Sequence, residues 1–318
     1  MKTWVNSLYN YSMPDNISAQ YKKSWLINTT IARELACYSP GDKLPTIQEL
    51  TERLQSSRGI VQKALSELQR KGGIDLEKRG KMGTFIGELD RKALFREGGL
   101  EYITATMPSP LTFELIALAS GICETMNTCP VPFNFAFIQS AGLRALALSR
   151  SIADFAVTSL NSAKKLCVKY PNLSIMVALD KCIYSQPYML FSNKKGNISS
   201  GDRIAADPGA IDQYHLTKEL CKGKKIVIIE RPYLTCRAMF LAGDIDYMVY
   251  RHEQKVRGEN FKVTPIENGD DPGYIIPALL ISKNNYNIAN ILKPYLCPDT
   301  INEGQTAVMN KSREPIIY

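Results

Sequence analysis

Histidine is almost absent: His215 and His252 are the only two in 318 residues. They cannot supply zinc-ligand spacing, and none of the eight cysteines (Cys37, Cys123, Cys129, Cys167, Cys182, Cys221, Cys236, Cys297) forms a C-x-x-C pair. The pattern therefore gives no reason to expect a metal or other cofactor. Most of these cysteines sit among apolar neighbours, as reduced thiols do in the cytoplasm. Long apolar runs are also missing. The longest, Leu111 to Cys123, is broken by Glu114 and falls short of the ~18–20 residues a membrane helix needs. The opening MKTWVNSLYNYSMPDN lacks the apolar core of a signal peptide. The expectation is a cytoplasmic protein with no membrane partner. Hydrolase and nucleotide signatures, G-x-S-x-G and G-x-x-x-x-G-K-[ST], do not occur. The 45% hydrophobic and 22% charged content is ordinary for a globular protein and excludes wholesale disorder and collagen-like structure. At about 150 residues per domain, the length suits two domains or three.

What is present is a basic excess, 39 Lys and Arg against 31 Asp and Glu, and it is not evenly spread. Residues 20–92 carry fourteen of the basic and nine of the acidic side chains, hence five of the net eight positive charges. That segment is the candidate for contact with a polyanion.

Its apolar spacing predicts three short helices and a hairpin. Ile27, Ile31, Leu35 and Tyr38 share one helical face within 24–38. SPGDKLP then breaks the chain, and Pro45 precedes a second helix over 46–54 with Ile47, Leu50 and Leu54 on one side. QSSRG supplies a turn in which Ser56 or Ser57 is expected to cap the third helix through its side chain. That helix, 58–71, buries Val61, Ala64, Leu65 and Leu68 and leaves Arg58, Gln62, Lys63 and Ser66 outward, ending at Gly72-Gly73. IDLEKRGKMGTFIGEL reads as two strands around a basic tip. Three helices and a hairpin make a winged helix-turn-helix, in which the third helix suits the major groove of double-stranded DNA.

The run PGDKLPTIQELTERLQSSRGIVQKALSELQRKGGIDLEKRGKMGTFI resembles the DNA-binding domain of GntR-type bacterial regulators. Pro40, Gly41, Leu44, Pro45, Leu50, Ser57, Arg58, Val61, Ala64, Leu65, Leu68, Gly72, Gly83, Thr84 and Phe85 match the family pattern. The family's Ser-Glu is Thr46-Ile47 here, its Thr is Ile60 and its second Arg is Gln62. Arginine pairs with phosphate or guanine, whereas glutamine is neutral and suits adenine, so the family's base contacts do not transfer at that position. The resemblance implies DNA contacts from Lys43, Thr46, Ser57, Arg58, Gln62, Lys63, Ser66, Lys78, Arg79, Lys81 and Gly83. Over the whole chain the pattern resembles the bacterial YhfZ family, with its TIQEL-like entry, RRG-x-x-G-like wing and following tail.

Beyond Arg91, short apolar strands alternate with helical patterns. Strands are expected at 102–107, 133–138, 153–158, 174–179, 203–206, 225–229 and 245–250, with helices including 111–125, 141–149, 210–222 and 232–242. Such alternation indicates an α/β fold with mainly parallel sheets. Two echoes refine it: Asp154-Phe-Ala-Val recurs as Asp246-Tyr-Met-Val, and Pro187-Tyr-Met-Leu-Phe-Ser as Pro277-Ala-Leu-Leu-Ile-Ser. Two similar lobes joined by two crossing strands follow. This resembles a type 2 periplasmic-binding-protein fold, also used for effector sensing by LysR-type regulators. Ligands in such a clamshell sit at the carboxyl ends of strands, beside helix N-termini. That rule nominates Ser109, Gln139, Ser140, Thr158, Ser159 and Asp207, with Arg231 to pair with an anion.

The expected organisation is an N-terminal extension (1–23), the winged helix (24–90), a charged linker (91–101) and a two-lobed effector domain (102–318). Lobe 1 would take 102–189 and 278–318, and lobe 2 would take 190–277. The leading reading is a non-enzymatic, ligand-responsive transcriptional regulator that binds operator DNA as a homodimer and senses a small-molecule effector. An enzyme on the clamshell, with Cys182 or Cys236 and His215 as nucleophile and base, and a sensor for a protein partner that has lost DNA binding, are the alternatives. Asp244/Asp246 and Asp270/Asp271 fall in Gly-containing turns and read as solvated surface. Trp4, Leu8, Tyr9 and Tyr11 are expected to pack against a neighbour.

Overall fold

A computed structural model describes residues 19–195, 197–251 and 261–316, with side chains from residue 23 onward. Trp4, Leu8, Tyr9, Tyr11 and His252 lie outside these residues. The chain divides into two compact units. Among the described residues, one holds those up to Ile103 together with Asn127–Asn134 and Lys283–Tyr295; the other holds Thr104–Met126, those within Phe135–Ser282 and those from Leu296 on.

The first unit begins with α1 (Ala19–Leu35), which starts five residues earlier than the apolar spacing indicates and stops before Tyr38. Helix α2 (Ile47–Leu54) opens with a reciprocal capping box. The Thr46 hydroxyl accepts from the Glu49 amide, and Glu49 accepts from the Thr46 amide at 2.7 Å. Helix α3 (Arg58–Arg70) begins at Ser57 without a side-chain cap, contrary to expectation. Its inner face of Val61, Ala64, Leu65 and Leu68 is buried. Strands β1 (Ile74–Lys78) and β2 (Thr84–Leu89) pair antiparallel around a short 3-10 turn, Gly80–Met82. Gly83 closes that turn with φ at +102°, a conformation side-chain-bearing residues rarely adopt.

The expected linker is instead helix α4 (Arg91–Glu97). Its charged residues flank Ala93, Leu94 and Phe95, which are buried, and the Asp90 carboxylate accepts from the amides of Lys92 and Ala93. Three adjacent apolar residues outweigh the charge that suggested a tether. Residues 127–134 and 283–295, expected in the first lobe, group with this unit. Tyr295 meets Phe95 edge to face at 6.2 Å. Arg33, 5% exposed, donates to the Gly98 carbonyl at 2.5 Å and to Asn285 Oδ1 at 2.6 Å.

The second unit contains two five-stranded sheets. The first, in order β4-β3-β5-β12-β6, uses β3 (Ile103–Met107), β4 (Phe133–Phe137), β5 (Phe155–Ser159), β6 (Leu173–Ala178) and β12 (Pro277–Ser282). The second, in order β11-β7-β10-β8-β9, uses β7 (Tyr188–Ser192), β8 (Arg203–Ala206), β9 (Val227–Glu230), β10 (Tyr247–Arg251) and β11 (Lys262–Pro265). Helices α5 (Phe113–Met126), α6 (Ala141–Ser149), α7 (Leu160–Lys169), α8 (Ile211–Cys221) and α9 (Tyr233–Leu241) fill the connections, followed by α10 (Pro272–Ile275) and, after α11 (Ile288–Leu292) of the first unit, α12 (Pro298–Met309).

Both internal echoes have a structural counterpart. The recurring Asp stands just before β5 and β10. Asp154 accepts from the Thr104 amide at 2.9 Å, and Asp246 accepts from the Arg203 amide at 2.8 Å. Each carboxylate thereby ties its strand to the parallel neighbour, β3 or β8. Asp246 is thus buried and structural rather than solvated. The second echo is β7 and β12, which run antiparallel to their neighbours on both sides. The sheets are therefore mixed where the pattern indicated mainly parallel ones. A strand returning from the other lobe enters against the direction of its new neighbours.

Candidate functional site

Two surfaces carry the chemistry, one in each unit. In the first, the buried face of α3 fixes which residues point outward. Arg58, Gln62, Lys63 and Ser66 are exposed, as are Lys78, Arg79 and Lys81 on the wing and Lys43, Thr46 and Ser57 beside it; Gly83 is half-buried. Not all of these are available for a ligand. The Thr46 hydroxyl is engaged in the capping box. Arg79 pairs with Glu77 at 2.7 Å and lies 4.5 Å from the centroid of the Phe85 ring. Among the described residues, Arg53, Arg70 and Lys71 also have acidic partners. Lys43, Arg58, Lys63, Lys78 and Lys81 have none. On α3, the wing and the turn before α2, those five are the cations a polyanion could claim.

In the second unit, a cleft of about 70 Å³ lies where strands of both sheets end. Thr158 and Ser162 reach it from the end of β5 and the start of α7. Tyr250 and Arg251 come from the end of β10, and Tyr233 from the start of α9. This is the location the strand-end rule requires.

Arg144 dominates the first lobe's side. It is 2% exposed, yet no carboxylate among the described residues forms an ion pair with it. Its guanidinium donates to the carbonyls of Ile138 and Gln139 at 2.7 and 2.9 Å, and to the hydroxyls of Thr158 and Tyr184 at 3.2 and 3.3 Å. Its Nε is buried without a partner. Burial lowers its pKa, but a guanidinium stays protonated. From the second lobe, Arg251 donates through Nε to the Tyr188 hydroxyl at 3.3 Å. Its guanidinium carbon lies 4.8 Å from the Tyr184 ring centroid and 5.1 Å from that of Tyr188, a cation–π arrangement. Tyr233 stacks on Tyr250 at 4.7 Å. Burial pushes the Tyr188 and Tyr233 phenols up, so both are neutral.

Asp212 is the one acidic side chain among the described residues lining the cleft. It accepts from the hydroxyls of Ser159 and Ser162. Burial pushes its carboxyl up, opposed by those two hydrogen bonds and by the charges of Arg251 and Lys165.

Ser109, Gln139 and Thr158 line the cleft. The Ser109 amide donates to Gln139 Oε1 at 3.2 Å. Ser140 and Ser159 cap α6 and α7 instead. Asp207 accepts from the amides of Gly209 and Tyr233 at 2.7 and 2.9 Å, fixing the start of α9. Arg231 is exposed and bonds to the Glu230 carbonyl at 2.8 Å, away from the cleft. The proposed cysteine nucleophiles are poorly placed. Burial pushes the Cys182 thiol up to about 12 and Cys236 to about 11, while His215 is exposed. No cluster of metal-ligating side chains occurs among the described residues.

Arg144, Tyr184, Tyr188, Asp212, Tyr233, Tyr250 and Arg251 were not nominated from the sequence. A signal for two of them exists. Thr158-Ser159 and Tyr250-Arg251 occupy the same place after the repeated Asp-x-x-Val, so carrying the echo two residues further reaches the second lobe's strand end.

The profile of the YhfZ C-terminal domain matches residues 90–316, and that of a helix-turn-helix domain matches 39–86. The chain belongs to the YhfZ family. An uncharacterized YhfZ protein of Escherichia coli (strain K12) is 26% identical over 299 residues, covering 92% of this chain and 97% of that one. The crystal structure of YhfZ from Shigella flexneri superposes with a TM-score of 0.59 at 21% identity, over 71% of this chain and 97% of that one. The fold thus pairs an N-terminal helix-turn-helix with the two-lobed YhfZ domain. No helix among the described residues is long and apolar enough to cross a membrane.

Proposed function

We propose that this YhfZ-family chain is a cytoplasmic, ligand-responsive transcriptional regulator that binds double-stranded DNA as a homodimer. The exposed face of α3 would enter the major groove, with Gln62 and Arg58 near the bases and the wing cations on phosphate. A single short recognition helix reads few base pairs, so a two-fold pair on a palindromic site supplies the missing affinity and specificity.

The effector in this reading is a small anion held in the cleft. The observation that carries it is a pair of arginines, Arg144 and Arg251, lining one pocket with no ion pair to either among the described residues. Desolvated charge is normally matched by opposite charge, and a bound anion would provide the match. The raised thiols of Cys182 and Cys236 favour this non-enzymatic reading over nucleophilic catalysis.

Selection of duplexes from random DNA by the full chain tests the first half. Recovery of a palindrome with adenine opposite Gln62 is expected, and recovery of no preferred duplex would remove the DNA-binding assignment. Titration of small carboxylates against the selected duplex tests the second half. Arg251→Ala should abolish whatever response the wild type shows.

A further inference from the structure

The cleft's carboxylate already has partners on the opposite lobe. Asp212 belongs to α8, beside the second sheet, whereas Ser159 and Ser162 stand at the first turn of α7, beside the first. Ser159 Oγ accepts from the Ser162 amide at 3.1 Å, so its own proton is directed onto Asp212 Oδ2. Ser162 supplies the second bond, to Oδ1 at 2.8 Å. Hydroxyls at a helix N-terminus form a seat for an anion, and Asp212, 4% exposed, fills it from within the chain.

That occupancy leaves Arg251 to bind the ligand, with the charge of Arg144 beside it. Arg144 uses its terminal nitrogens on neutral acceptors and keeps a buried Nε without a partner. Among the described residues, Arg251 donates through its Nε, to Tyr188. Two guanidinium groups and one carboxylate give the lining an excess of one positive charge. Around them stand neutral tyrosines and apolar side chains such as Leu115 and Ile211.

We propose that Asp212 is the residue that sets ligand charge: it admits a small carboxylate with a single negative charge, held by Arg251 in the field of the Arg144 charge, and rejects dianions. This rests on the reading of the cleft as an anion sensor. In about 70 Å³ a second carboxylate would lie within a few ångströms of Asp212, in surroundings that screen like charges poorly.

The test uses the full chain at pH 8, because burial pushes the Asp212 carboxyl up and acid would neutralise it. Acetate, lactate and pyruvate are compared with oxalate and malonate by calorimetry and thermal shift. The wild type is expected to bind the monocarboxylates at least tenfold more tightly. Asp212→Asn should raise dicarboxylate affinity at least tenfold and erase that ranking. Ser162→Ala removes a hydrogen bond but no charge, so it should change both classes by one factor and keep the ranking. Equal binding of both classes by the wild type overturns the proposal, even if Asp212→Asn does not fold. So does a uniform loss in Asp212→Asn that matches Ser162→Ala, which would mark Asp212 as structural. These failures leave the cleft an anion site provided Arg251→Ala weakens every anion that binds. No binding of any anion, or binding indifferent to Arg251→Ala, overturns the cleft reading and this proposal with it.

Discussion

Replacing Arg58 and Lys63 together by alanine removes two of five cations that have no acidic partner on α3, the wing and the turn before α2. Each cation that neutralises a phosphate adds about −0.9 to the slope of log K against log salt. Five give a slope near −4.5 per protomer, and three give about −2.7. A fourfold rise in salt should then weaken the wild type by roughly 500-fold and the variant by roughly 40-fold. Both side chains are exposed and outside the buried face of α3, so stability should stay within about 0.5 kcal/mol of wild type. Fluorescence polarisation on one duplex at four salt concentrations measures the slope, with circular dichroism as the check on folding. An unchanged slope in a folded variant would refute the placement of phosphate on this face.

Further outcomes follow from particular contacts. Gly121→Ala on α5 should destabilise by about 1–3 kcal/mol through overpacking, because an added Cβ would come within 2.5 Å of the Ile301 carbonyl on α12. Gly59→Ala on α3, with nothing within 4 Å, should stabilise by up to about 1 kcal/mol; denaturant melts compare the two. Cys297, exposed at the start of α12 and lowered by hydrogen bonds from Thr300, should react with iodoacetamide before buried Cys123, Cys182 and Cys236, as peptide mapping would show. The Lys194 ammonium and the Ser199 amide hold the Asp202 carboxyl below the usual aspartate range. The stability that Asp202 contributes is present at neutral pH and lost as pH falls through its lowered pKa. Lys194 is half-exposed, so Lys194→Met should lower the thermal midpoint only slightly at pH 7 and still less in acid, as melts at the two pH values would show.

Much of this fold is written locally. The breaks at Pro40-Gly41 and Gly72-Gly73, with the apolar spacing between them, locate α2 and α3 within a residue or two. The echoes identify β5 with β10 and β7 with β12 because each lobe repeats one pairing scheme. Where local pattern misled, long-range packing decided. Residues 91–97 look like a charged tether until Phe95 is seen against Tyr295, two hundred positions away. The cleft was legible only where a rule about strand ends applied, as at Ser109, Gln139 and Thr158. Arg144 sits inside an apolar helix and Asp212 inside the first turn of another. Their roles depend on partners across the cleft, which spacing does not encode. Arg231 has the right chemistry and follows a strand, yet its side chain turns to its own neighbour's carbonyl.

The coupling of a small anion in the cleft to DNA on the winged helix is what would make the chain ligand-responsive. It is tested most directly by measuring both binding constants of the full chain, each with and without saturating amounts of the other ligand. The anion should change DNA affinity by some factor, DNA should change anion affinity by the same factor, and Arg251→Ala should remove both changes. DNA affinity unaltered at saturating anion, with the anion demonstrably bound, would contradict it.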